Sequence, residues 1–134
     1  DKDGNQINEF VYNYIEPVVP ATRIIDIQSN GNSISTYSFG TIQQYGGTTQ
    51  TVQIKNIGNA DLYVTNATLS GPDVSNFAAG IIGGSQVIAP GNTADLSISF
   101  YDPALPLGNK SATITISSDK TSGNNILNIS GTIQ

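Results

Sequence analysis

The chain has no His, Cys, Met or Trp, and only 11% of its 134 residues are charged, against about 25% in a typical domain. Each gap removes a chemistry. Without His or Cys there is no Ser–His–Asp triad, no thiol nucleophile and no conventional zinc site. Thiolate or imidazole ligation of soft metals, haem or iron–sulfur clusters goes the same way. No disulfide can form, which leaves the redox compartment open. Five basic residues face ten acidic ones, for a net charge of −5. That balance cannot build the cationic stripe that displaces counterions from phosphates, so nucleic acid is excluded as a partner. It also disfavours anionic membrane surfaces. No apolar run approaches the ~18 residues of a spanning segment, so no direct membrane insertion is expected. Helix formers are scarce too, with six Leu and two Glu.

What is present is β-branched. Eighteen Ile, seven Val and thirteen Thr have restricted side-chain rotamers in helices and suit a pleated sheet. Apolar residues, counted with Gly in place of Tyr, come to about 43%, just under the ~45–50% of globular chains. The length is that of one domain, large enough to bury a core. Low charge with abundant Asn, Ser, Thr and Gly fits an exported β-rich protein.

From Arg23 onward apolar residues alternate with polar ones, the period of a half-buried strand. Ile25 and Ile27 share a face. Ile34–Phe39 reads as a short strand ending at Gly40. Val52 and Ile54 share a face within 48–57. Asn56–Asn59 is punctuation, and Leu62, Val64 and Leu69 mark the next strand, stopped by Gly71-Pro72-Asp73. Residues 73–92 are less regular, with Phe77 as an inward anchor. Ala89-Pro90-Gly91-Asn92 is a turn, with Pro setting φ at its second position and Gly accepting positive φ at its third. Ala94, Leu96, Ile98 and Phe100 line one face, as do Ala112, Ile114 and Ile116. A polar hairpin, 118–125, precedes Leu127, Ile129 and Ile133. These seven to eight short strands, each with one apolar face, predict an all-β, two-sheet antiparallel sandwich, with a closed barrel as the alternative. Residues 1–22, interrupted by Pro17 and Pro20, read as an N-terminal leader or linker that adds at most one edge strand. Residues 23–134 form the domain. A start at Asp1 without Met reads as a processed or truncated chain.

Several strings carry a resemblance. Asn56-Ile57-Gly58-Asn59-Ala60-Asp61-Leu62 is similar to a signature of bacterial choice-of-anchor D repeats, in the ASH/Hydin-like group of immunoglobulin-like domains. Ser70-Gly71-Pro72-Asp73 with Phe77 fits the same family. So do Ile88–Asn92 with Leu96–Phe100, Gly108 with Ser111–Asp119, and Asn128–Thr132. In order they span about residues 23–133. Tyr101-Asp102-Pro103 and the compressed loop after it depart from the pattern. The resemblance implies an immunoglobulin-like sandwich acting as an accessory or tandem module of exported or surface proteins, with no catalytic residue to carry over.

Local candidates for chemistry have plainer readings. Asp1, Asp3 and Asn5 offer oxygens at alternating positions, like the start of a calcium loop. The EF-hand pattern wants Gly and Glu where Gln6 and Tyr12 stand, so a solvated acidic leader is the simpler account. No cofactor is expected, with calcium the one candidate. Ser117–Lys120 formally matches Ser-x-x-Lys, but on a strand end rather than a helix. Asp61, Asp73, Asp95, Asp102 and Asp119 could supply carboxylate pairs for glycoside hydrolysis. All but the strand residue Asp95 sit in turns, where Asp serves the local backbone. Tyr12, Tyr14, Tyr45, Tyr63 and Tyr101 are candidates for a sugar-stacking platform.

The function expected is a non-enzymatic interaction, adhesion or spacer module on a bacterial surface, anchored to an outer membrane, in the periplasm or outside the cell. A protein or neighbouring domain is its expected partner, and glycan- or calcium-dependent binding is the alternative. Its working loops are 56–61, 71–76, 102–110 and 118–125, with Asn59, Asp61, Asp73, Asp102, Asp119, Tyr63 and Tyr101 as the candidate contact residues.

Overall fold

The computed structural model describes residues 18–104 and 106–134. Its strands are β1 (Ile24–Ser29), β2 (Asn32–Ser33), β3 (Thr36–Ile42), β4 (Gly47–Asn56), β5 (Leu62–Ser70), β6 (Phe77–Ile81), β7 (Gln86–Ile88), β8 (Thr93–Tyr101), β9 (Gly108–Ser118), β10 (Ser122–Gly123) and β11 (Ile126–Ile133). Eight of these have five residues or more; β2, β7 and β10 are short pairing segments. A 3-10 turn, Val74–Asn76, leads into β6. One sheet runs β10-β1-β4-β8-β6, with β2 also against β1, and the other runs β3-β11-β9-β5-β7. This is the open two-sheet sandwich, not a closed barrel.

The alternating residues meet between the sheets. Ile25, Ile27, Val52, Ile54, Leu96, Ile98 and Phe100 project from the first sheet, and Leu62, Val64, Ile114, Ile116, Leu127 and Ile129 from the second, all buried. Alternate residues over much of β1, β4, β8, β9 and β11 are therefore removed from water, at about 25 cal/mol per Å² of apolar surface. Phe77 and Phe100 stack with ring centroids 4.9 Å apart, and Phe39 adds a third ring 5.7 Å from Phe100. The core closes over Gly131. A Cβ there would lie 2.3 Å from the Phe100 ring, so only a residue without a side chain fits.

Three local findings refine the sequence reading. The second strand does not stop at Gly40 but passes through it to Ile42. Gly40 has φ +74°, and the β3–β11 register slips beside it, so the glycine makes a bulge where a terminator was expected. The sheets are also not wholly antiparallel: β3 runs parallel to β11, and β10 parallel to β1. The 73–92 stretch holds two short strands and the expected Ala89–Asn92 turn, closed by the Asn92 N–H on Ala89 O at 2.9 Å. The expected leader strand falls on residues 1–17, outside the described residues; Val18 to Arg23 precede β1 without regular structure.

Candidate interaction surfaces

The antiparallel registers divide the candidate residues between the two ends of the sandwich. Val64 lies opposite Ser118, and Ser70 opposite Thr113. Gly47 lies opposite Tyr101, and Lys55 opposite Thr93. Asn59, Asp61, Tyr63 and Asp119 therefore gather at one end, and Asp73, Tyr101 and Asp102 at the other.

The first end is fastened by side chains. Asn59 accepts from the Thr22 N–H at 2.7 Å and donates to Pro20 O at 3.1 Å, clamping the segment that enters β1. Asp119 Oδ1 accepts from the Tyr63 N–H at 2.9 Å, and the Asp119 N–H returns to Tyr63 O at 3.1 Å. Arg23 Nε donates to Asp61 O at 3.1 Å and lies 3.5 Å from Asp119 Oδ2. Tyr63 itself points outward beside Val87, its cross-strand partner on β7, and the two form an exposed apolar pair.

Beneath this end lies a residue that periodicity reads as mere punctuation. Asn56 is fully buried. Its Nδ2 donates to Ala60 O at 2.7 Å and to Ile88 O at 2.8 Å, and its Oδ1 accepts from the Gly58 N–H at 2.9 Å. The three side-chain bonds tie the 58–60 loop to the end of β7, and the one to Ile88 is buried. The available signal was the offset of two residues from Asn56 to Gly58, an Asx-turn spacing.

The second end repeats the device. Asp73 Oδ2 accepts from the Ser111 N–H at 2.8 Å. The carboxylate of Asp102, a buried residue, accepts from the N–H groups of Tyr45 at 2.8 Å and Ala104 at 3.0 Å. Buried Asn76 donates to Tyr101 O at 3.1 Å. Tyr45 and Tyr101 belong to this end and Tyr63 to the other, so the described tyrosines do not make one platform. Tyr12, Tyr14 and the calcium candidates Asp1, Asp3 and Asn5 lie outside the described residues. Among the described residues, no group of three or more Asp, Glu, His or Cys is placed to hold a metal, and no helix is long and apolar enough to cross a membrane.

Two further surfaces come from the sheets. On the outer face of the second sheet, over β3, β11 and β9, a concavity of about 400 Å³ is lined by Ser38, Thr41, Asn109, Ser111, Ser130 and Thr132 among others. On the first sheet, a shallow groove of about 350 Å³ runs along β6, the last strand of that sheet among the described residues, lined by Ala78, Gly80, Ile82, Ser97 and Ser99 among others.

A two-sheet sandwich with a parallel strand pair, polar clasps at both ends and free strand edges is an immunoglobulin-like module. Residues 33–132 match the model of the HYDIN/CFA65/VesB-like Ig-like domain family, and the chain belongs to that family. The ASH, or Hydin-like, group named by the sequence resemblance is thus the right one. A protein of unknown function from Porphyromonas gingivalis W83 shares the fold at 18% identity and TM-score 0.64, over 83% of this chain and 47% of that one. The ASH / PapD-like domain 7 of human CEP192 does so at 13% identity and TM-score 0.59, over 90% and 93%. A family 123 glycoside hydrolase from Clostridium perfringens does so at 12% identity and TM-score 0.61, over 84% of this chain but 27% of the enzyme. The chain thus spans about half or less of two of these three. No curated protein matches the chain.

Proposed function

We propose that this chain is a non-enzymatic immunoglobulin-like module, of the choice-of-anchor D kind, serving as a spacer or assembly unit of an exported or surface-anchored bacterial protein. The observation that carries the reading is the use to which its carboxylates are put. Asp73, Asp102 and Asp119 each accept a backbone N–H from a distant segment of the chain, Asp119 at one end and Asp73 and Asp102 at the other. Carboxylates held this way brace the backbone where the strands end. The comparisons support the same view: the fold recurs as a minor part of a glycoside hydrolase and as a whole ASH / PapD-like domain of human CEP192, so activity does not travel with the fold.

Pro20–Thr22 is held at one end and Gln134 at the other, where the Gln134 N–H donates to Ile42 O at 3.1 Å. Chain entry and exit at opposite ends suit a spacer. The module is expected to require no metal and to bind a neighbouring domain or protein through its ends and edges. The direct test is to assay residues 1–134 against glycoside and peptide substrates and against the flanking domains of the full-length protein. The reading expects no turnover and a raised melting temperature with a flanking domain. Turnover by the purified chain that an Asp variant abolishes would overturn it.

A second reading, glycan contact, rests on the concavity over β3, β11 and β9, lined by hydroxyls, the Asn109 amide and Lys110. A neutral-glycan panel tests it. Binding lost in Ser130→Arg supports it, and a flat panel removes it.

A further inference from the structure

Two runs of this chain share a pattern, and the fold brings them side by side. Asn109-Lys110-Ser111-Ala112-Thr113 and Asn128-Ile129-Ser130-Gly131-Thr132 both read Asn-x-Ser-x-Thr. They lie on β9 and β11, which pair antiparallel so that Asn109 is opposite Thr132, Ser111 opposite Ser130 and Thr113 opposite Asn128. The runs are thus related by a local two-fold between the two serines. Their polar positions fall on the outer face, because Ala112 and Ile129, which alternate with them, are buried in the core.

β3 adds a third column. Thr36 lies beside Asn128, Ser38 beside Ser130 and Thr41 beside Thr132. Strict alternation would turn Thr41 inward with Tyr37 and Phe39, which pack against the core. The bulge at Gly40 shifts the phase, so that Ile42 goes in and Thr41 stays exposed on the outer face. The result is a grid three strands wide and three rungs long, with strands about 4.8 Å and rungs about 7 Å apart. Every position in it carries a hydroxyl or a carboxamide.

The grid is internally ordered. Thr132 Oγ1 donates to Asn109 Oδ1 at 2.9 Å, and Thr113 Oγ1 donates to Asn128 Oδ1 at 3.0 Å. Each Thr fixes its Asn with the carboxamide oxygen occupied and the Nδ2 hydrogens unspent. Among the described residues neither Nδ2 has a partner, and nor do the Ser111 and Ser130 hydroxyls. Two concavities meet over the serine pair, which lines both. One, of about 400 Å³, covers the Asn109–Thr132 rung, and the other, of about 240 Å³, covers the Thr113–Asn128 rung.

We propose that this grid binds a neutral glycan laid along β9 and β11, with the Nδ2 groups of Asn109 and Asn128 donating to sugar oxygens in the two concavities and the serine hydroxyls bonding between them. The proposal rests on the glycan reading of the larger concavity and assigns its ligand class and its donors. Chemistry selects the ligand. β9 and β11 are interior strands, paired on both sides, so their backbone offers nothing to an added peptide strand. The grid carries no charge and no large apolar group. Lys110 lines the larger concavity, but it is half-buried and by alternation leaves β9 on the opposite face. What remains is a set of closely spaced groups that donate and accept, the complement of a sugar's hydroxyls. An ionic or greasy ligand would lose water there without gaining a partner.

Titration calorimetry of residues 1–134 with cello-, manno-, laminari- and maltohexaose, and with a galacturonate hexamer as the acidic comparison, is the test. Binding to at least one neutral hexasaccharide is expected. Asn109→Ala and Asn128→Ala should each weaken it about fivefold, the loss of one hydrogen bond. Thr51→Ala, at an exposed position on the first sheet, should leave it unchanged. Both Asn are exposed, so the variants should melt within a few degrees of the parent, and if one fails to fold the other decides. Binding that Ser130→Arg blocks but neither Asn variant weakens leaves the glycan reading standing and overturns the grid. A parent that binds no hexasaccharide overturns both. Tighter binding of the galacturonate hexamer than of any neutral one overturns the assignment of a neutral ligand.

Discussion

Replacing Asn56 by Ala should be among the most damaging single changes to this protein outside its apolar core. The substitution removes two donors and one acceptor at a site with no exposure to solvent. It breaks the bonds to the part-buried Ala60 carbonyl and Gly58 N–H and to the buried Ile88 carbonyl. Each bond contributes about 1 kcal/mol net, and each buried group left unmatched costs up to ~3, so a loss of about 3–5 kcal/mol follows. For a domain of this size that lowers the melting temperature by roughly 10–15 °C. Asn66→Ala, at an exposed position of β5, is the control and should change stability by less than about 0.5 kcal/mol. Asn56→Asp should cost more than Ala, because it faces a carboxylate with two carbonyl oxygens, and acidification should recover part of the loss by restoring a donor. Urea denaturation of the four proteins measures all of this. A cost below about 1 kcal/mol for Asn56→Ala would refute the reasoning, since it would mean that the three loop groups find other partners.

Gly131→Ala should destabilise by about 1–3 kcal/mol through overpacking against Phe100, and combining it with Phe100→Leu should cost less than the sum of the two singles, as denaturant midpoints will read. Asp119→Ala removes the acceptor of the Tyr63 N–H and the partner of Arg23, and should lower stability by about 1–2 kcal/mol. Millimolar calcium or EDTA should leave the melting temperature of residues 1–134 unchanged; a calcium-dependent rise of several degrees would return Asp1, Asp3 and Asn5 to consideration as ligands.

The sandwich was legible because one-face burial leaves a period of two in the sequence. Ile25, Ile27, Val52, Ile54, Leu96, Ile98, Ile114 and Ile116 all occupy the core where alternation puts them. Polar residues with buried roles left no such period. Asn56, Asn76 and Asp102 look like any turn Asn or Asp, and only their three-dimensional partners show that they bind loops from inside. The contact residues were legible by type but not by use. Asn59, Asp73, Asp102 and Asp119 read from the sequence as loop-tip contacts, and in the fold their side chains bond the protein's own backbone. Gly40 shows a different limit: a strand terminator and a bulge use the same residue for the same positive φ, and only pairing with β11 separates them. β6 falls in the stretch that alternation described least well, because short, small and uncharged residues carry little pattern.

The account depends on a two-sheet frame in which β6 ends the first sheet among the described residues. Residue-resolved amide exchange on the dilute chain tests this most directly. The Ile82 N–H donates to Asp95 O at 2.9 Å, and bonded residues alternate along an antiparallel ladder. Ala78 and Gly80, bonded to β8, should exchange slowly along with Leu96 and Ile98, while Ala79 and Ile81 exchange fast. Equal protection at all four β6 positions would mean that another segment already covers the edge, and would contradict the account.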